Sequence, residues 1–236
     1  TEFYRKATHG EGFIRGFFNV IKSATTGTGA ALERLFITGV SPVTMDDVTS
    51  GFNIGTNITN DSWFNDLVGF SENELREMLE YYKEQGVLQE SIDEIVAMMK
   101  PNYDNYCFSE DTLEQCMFNS DMALYFLKSF VLHHKKPKEI VDPNIRTDFN
   151  KLAYLIKLDH GLGENFSVIK EIAEQGEIIT DIVTHFSALE MTDPSNFKSL
   201  LFYFGLLSIK GVDMVGRPIL HVPNLVVREQ LFNFLI

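Results

Sequence analysis

The chain has 236 residues and a formal net charge of −13, and 44% of its residues are hydrophobic, 12% aromatic and 22% charged. Its 20 Phe and 8 Tyr, with no low-complexity tract, exclude a disordered chain and supply a core for one large domain or two modest ones. No apolar run approaches the ~18–20 residues of a membrane span, and a pI near 4.8 argues against nucleic-acid binding through bulk charge. Cys107 and Cys116 form neither a disulfide framework nor a CxxC pattern, so a reducing, cytoplasmic setting with no membrane partner is expected.

Thr1 to Lys6 carry no initiator Met and no targeting signal, and Arg228 to Ile236 run in an apolar helical pattern without a Gly or Pro stop. Both ends therefore predict a piece of a longer protein. Along the chain, Phe13, Phe17, Val20, Ile21 and Ala24 recur at helical spacing, and Thr25 to Gly29 breaks the pattern. Arg34 to Val40 reads as a short buried strand ending at Gly39 and Pro42, the helix-then-strand unit of an α/β layer with a parallel sheet. The Thr, Asn, Gly and Asp of residues 41–62 predict a long surface loop.

From Gly69 the pattern turns helical. Ser71 with Glu74 is a capping box opening a helix through Leu75, Met78, Leu79 and Tyr82 to Gly86. Ser91 and Glu94 repeat it before a segment expected to end at Pro101, and the aromatic run Tyr103 to Phe108 follows as helical-subdomain core. Further helices are predicted near 120–133, 148–159 and 165–175, the last two closed by Gly161 and Gly176. Asp193-Pro194 starts a buried helix ended by Gly205, Leu206–Lys210 and Arg217–Val222 read as two strands, and Pro223-Asn224 opens a final helix. Helix, hairpin, helix is the winged-helix pattern.

Chemistry-bearing motifs are sparse. The six histidines sit in no HExxH pattern, Gly27-Thr28-Gly29 lacks a following Lys-Ser/Thr, and no apolar strand ends in paired acids. There is no Gly-x-Ser-x-Gly elbow. The residues by themselves compose no complete active site.

Several blocks nevertheless carry a resemblance. Arg34 to Pro42, Thr49 to Ile54 with Asn57 to Thr59, Gly69-Phe70-Ser71 with Glu74, Ser199 to Ser208, and Pro223-Asn224 with Val226 to Glu229 keep one order. Together they resemble the AAA-ATPase-like family of bacterial proteins, predicted P-loop ATPases often followed by a PD-(D/E)XK nuclease-like domain. Tyr103-Asp104-Asn105-Tyr106 stands where the family has Tyr-Asp-Gly-Tyr, and Asn is the best substitute for Gly where a left-handed backbone is needed. Phe118-Asn119-Ser120 stands for its Tyr-Asn-Pro.

The resemblance implies a mainly α fold with a small α/β part. Residues 1–70 would be the C-terminal remnant of a P-loop ATPase core, 71–190 a helical lid and 191–236 a winged-helix subdomain. The family's phosphate loop and Asp-Glu strand would precede Thr1, so ATP and Mg belong to the intact parent and none is expected to bind this chain tightly. The missing N-terminal ATPase segment and a C-terminal nuclease-like domain are the partners implied. Thr38, at the strand tip, is the implied γ-phosphate sensor, with Ser41 just beyond it; the plainer reading has Thr38 end a strand and Ser41 cap a turn. A DNA-binding winged helix is weakly supported by Lys198, Lys210, Arg217 and Arg228 against Asp213 and Glu229, and a protein-interaction module is the third reading.

Overall fold

The computed structural model describes residues 2, 6, 12–39, 55–142, 164–186, 190 and 193–233. These form a mainly helical structure, seven α-helices among the described residues, with a small three-stranded antiparallel sheet. The chain divides into two compact units: Thr1–Ile58 with Ile182–Phe204, and Thr59–Asp181 with Gly205–Ile236.

In the first unit, helix α1 spans Phe13–Thr25 and buries none of its residues. The strand expected over 34–40 is absent: residues 34–39 have no regular structure and are exposed. An apolar run becomes a strand only with a ladder partner, and none pairs with it among the described residues. Residues 40–54, which include Ser41 and Gly51-Phe52-Asn53, lie outside the described residues, as does the helix expected at 148–159.

The larger unit holds most of the structure. Helix α2 spans Glu72–Glu84 and starts on the capping box, with Ser71 N–H donating to Glu74 Oε2 at 2.8 Å and Glu74 N–H to Ser71 Oγ at 3.2 Å. Helix α3, Ile92–Tyr103, starts after Ser91, but the serine makes no side-chain capping bond. It also runs through Pro101 rather than stopping there; a proline in the last turn removes one N–H while two more residues complete the helix. Helix α4 spans Ser120–His133, with Asn119 Oδ1 accepting from Met122 N–H at 3.0 Å. Leu75, Leu79, Ile95, Met99, Tyr103 and Phe126 from these helices are almost fully buried in one cluster. At about 1.5–3 kcal/mol for each large apolar side chain buried, this cluster is the main stabilising element of the unit.

Helix α5, Glu164–Gln175, is followed by Gly176 at φ +78° and then β1, Glu177–Ile179. In the first unit, α6 spans Pro194–Tyr203, with proline at its first turn and Asp193 Oδ1 capping Ser195 and Asn196. The second unit resumes at Gly205 with β2, Ser208–Val212, and β3, Pro218–His221, joined by a turn in which Asp213 Oδ1 accepts from the Val215 and Arg217 amides at 2.9 Å each. Strand order is β1-β3-β2, antiparallel throughout, and β2 and β3 form the returning strand pair expected over 206–210 and 217–222. Ile178, Leu220 and Ile209 line up across the three strands and are all buried, so that period-two patterning fixes the register. A register shift between Ile209 and Gly211 bulges β2. Helix α7 spans Leu225–Asn233 and packs on α3 and α5.

Candidate functional site

Thr38 lies exposed in the irregular segment 34–39, and Ser41 falls outside the described residues. The structure gathers a different set. The turn Asp104-Asn105, following α3, sits between two chain crossings. Tyr106 and Met117 exchange main-chain bonds of 3.1 and 2.8 Å, and Phe70 and Phe118 do the same at 3.0 and 2.7 Å. Asn119 N–H donates to the Tyr103 carbonyl at 2.9 Å.

Side chains complete this hub. Asn105 takes up φ +73°, the left-handed backbone expected at this position, and its Nδ2 donates to the Pro223 carbonyl at 2.9 Å. Asn224 Nδ2 donates to the Asp104 carbonyl at 3.1 Å, and the Tyr106 hydroxyl is engaged by Asn224 and Asn119. Cys107 N–H donates to Ser208 Oγ at 2.7 Å, and Ser208 returns a bond of 3.3 Å to the Cys107 carbonyl. Asn65 closes the far side, accepting from Phe108 N–H at 3.1 Å and donating to the Gln115 carbonyl at 2.9 Å. Two of the blocks behind the resemblance, at 69–71 and 223–224, thus meet here with the two segments that depart from the family's pattern, 103–106 and 118–120, as backbone joints.

Electrostatics in the hub favour neutral groups. Asp104 is 5% exposed, its Oδ1 has no hydrogen-bond partner, and Lys100 Nζ stands 4.0 Å from Oδ2. Burial raises its carboxyl above the ordinary aspartate value, against the opposing pull of the Asn105 amide and Lys100. Burial likewise raises the Cys107 thiol and pushes Cys116 up to about 11, with Cys107 and Asp104 adding to the effect. A thiol held protonated at neutral pH is a poor nucleophile. The hydrogen bonds of the arrangement fix main chain to main chain across the unit. Beside it opens a recess of about 480 Å³ where the end of α5 meets Pro223 and Asn224, with Arg228 placed 6.0 Å from the Phe232 ring centroid.

Among the described residues no group of three or more His, Cys, Asp or Glu is placed to hold a metal ion. Sequence reasoning singled out Asn105 and Asn224 as turn and helix-start residues, gave the start of α4 to Ser120 where Asn119 is the cap, and missed the roles of Asn65 and Ser208. Their partners lie 43 and 101 residues away, and no local pattern announces such pairs. Comparison with family models, curated proteins and solved structures finds no match to this chain.

Proposed function

We propose that the chain is the C-terminal part of an AAA-type ATPase, a helical lid and winged-helix module that is not catalytic by itself. The observation that carries this reading is the hub: segments scattered from Gly69 to Asn224, which stand in the order of the family's motifs with departures at Asn105 and Ser120, are joined by hydrogen bonds within one unit. The strand order β1-β3-β2, with a β2–β3 hairpin between α6 and α7 in sequence, is the order of a winged-helix sheet and supports the same reading. The 236 residues contain no phosphate-loop motif, so on this reading ATP and magnesium belong to the intact parent protein. On the same reading the chain positions and regulates, with Thr38 as the candidate sensor in the intact protein. The test is ATP hydrolysis by the full-length gene product. Thr38→Ala is expected to slow turnover about tenfold, equivalent to about 1.4 kcal/mol, with its unfolding midpoint unchanged. Unaltered turnover removes the sensor assignment.

A protein-interaction module is the second reading, favoured over DNA binding by the β2–β3 hairpin. Its tip presents Met214 and Val215, 106% and 75% exposed, while the basic residues nearby are already engaged. Lys210 pairs with Glu177 at 2.6 Å and Arg217 with Asp213 at 2.8 Å. Phosphate contacts need free cations, whereas an apolar tip suits a protein surface.

A further inference from the structure

The outer face of α4 and the segment after it enclose a groove of about 890 Å³. On the helix side Leu124, Tyr125, Lys128 and Leu132 recur at three- and four-residue spacing and share one stripe. The opposite wall, residues 135–142, is already fixed: the Tyr125 hydroxyl donates to the Glu139 carbonyl at 3.0 Å, Ser129 Oγ to the Lys135 carbonyl at 3.5 Å, and the Tyr103 hydroxyl to the Ile140 carbonyl at 3.0 Å. Pro137 and Val141 anchor that wall by burial. A groove built before its ligand arrives costs little ordering on binding.

Its chemistry is two-sided. Leu124 and Leu132 leave an apolar strip in solvent, and Lys128, Lys135, Lys136 and Lys138 set four exposed ammonium groups around it, none in an ion pair among the described residues. The negative end of the α4 dipole accounts for Lys135 and Lys136 just past the helix end, but not for Lys128 in mid-helix or Lys138 five residues beyond it. Asp121, Glu139 and Asp142 line the same groove, so its charge is mixed, with the lysines concentrated toward the helix C-terminus. A long polyanion is disfavoured by these carboxylates and by the −13 of the chain. A small free anion is held poorly by ammonium groups that are all in water.

We propose that this groove docks a short acidic, amphipathic peptide segment of a partner protein, its apolar side chains on Leu124 and Leu132 and its carboxylates on the lysines. From Asp121 to His133 the helix runs about 18 Å, room for five or six extended residues. The proposal is independent of the ATPase reading.

The experiment is fluorescence anisotropy of a labelled eight-residue peptide alternating Glu and Leu, titrated with the full chain. Saturable binding is expected, weakening roughly tenfold in the Lys128→Glu/Lys136→Glu variant and several-fold when salt rises from about 50 to about 500 mM. Replacing the peptide leucines by serine, or Leu132 by Ser, is expected to weaken it roughly fivefold or more. Both lysines are exposed, and the variant's circular dichroism and unfolding midpoint verify its fold. No saturation by about 1 mM peptide, equal binding by the double variant, or equal binding of the serine peptide overturns the proposal. So does tighter binding of a ~20 bp DNA duplex, which would assign the lysines to nucleic acid.

Discussion

Asn224 reaches back across 120 residues of sequence to donate, through Nδ2, to the main-chain carbonyl of Asp104, while its Oδ1 caps α7 by accepting from Val227 N–H at 3.1 Å. One side chain thereby starts a helix and closes a distant turn. Asn224→Ala removes the cap and leaves a buried carbonyl unmatched, at about 1 and about 1–3 kcal/mol respectively. A loss of about 2–4 kcal/mol in urea unfolding is expected, and Asn224→Asp should recover the cap alone. A loss under 1 kcal/mol would show that the bond is replaceable by water.

Gly69 and Gly86 separate two penalties that usually travel together. Both have positive φ, +98° and +70°, but a Cβ at Gly69 would stand 2.9 Å from Met117 Cβ and from the Phe118 carbonyl oxygen, whereas one at Gly86 meets open space. Gly86→Ala should cost about 1 kcal/mol, the left-handed penalty. Gly69→Ala should cost about 2–3 kcal/mol more, because the Phe70–Phe118 crossing must shift. Equal unfolding midpoints for the two variants would refute the steric argument.

Asp104 makes the hub sensitive to pH. Its folded carboxyl titrates above the ordinary 3.8, chiefly through burial, so the folded state holds the proton to higher pH than the unfolded chain. Stability from this group is complete below the unfolded value and falls as pH rises through the folded one. Asp104→Asn should therefore gain on the parent protein between about pH 3.5 and 7. Unfolding midpoints measured across that range test the sign, and a constant difference would contradict it.

His221 acts in the opposite direction. Burial, with Lys210 nearby, lowers its imidazole below 6.5, and Glu177 opposes the shift only in part. Stability is present above 6.5 and is lost as pH falls through the folded value. His221→Gln is expected to flatten the decline between about pH 7 and 5, and NMR titration of the ring protons in the parent protein gives the midpoint directly.

Local signals were legible where a short stretch decides the outcome. The Ser71–Glu74 box, the helix over 120–133 and the proline start at 194 each rest on a few adjacent residues, whereas the left-handed Asn105 was expected from the resemblance. What failed depends on distant partners. Arg34 to Val40 has strand composition but no ladder among the described residues, and Glu177–Ile179 is too short to show a period and exists by pairing with Ile219 to His221. The hub escaped for the same reason: its turn residues could be recognised one at a time, but their meeting could not. Thr38 rests on resemblance alone, and its exposed setting supplies no partner to the argument.

The bonds from Asn105 to Pro223 and from Asp104 to Asn224 also impose a timetable. During synthesis α2, α3 and α4 emerge early and can associate through nearby contacts, but the 104–105 turn stays unsealed until residue 224 has left the ribosome. High sequence separation of this kind slows the final closure and leaves an interval in which a half-assembled unit exposes its aromatic interior. A nascent chain stalled before residue 224 is therefore the species most in need of a chaperone.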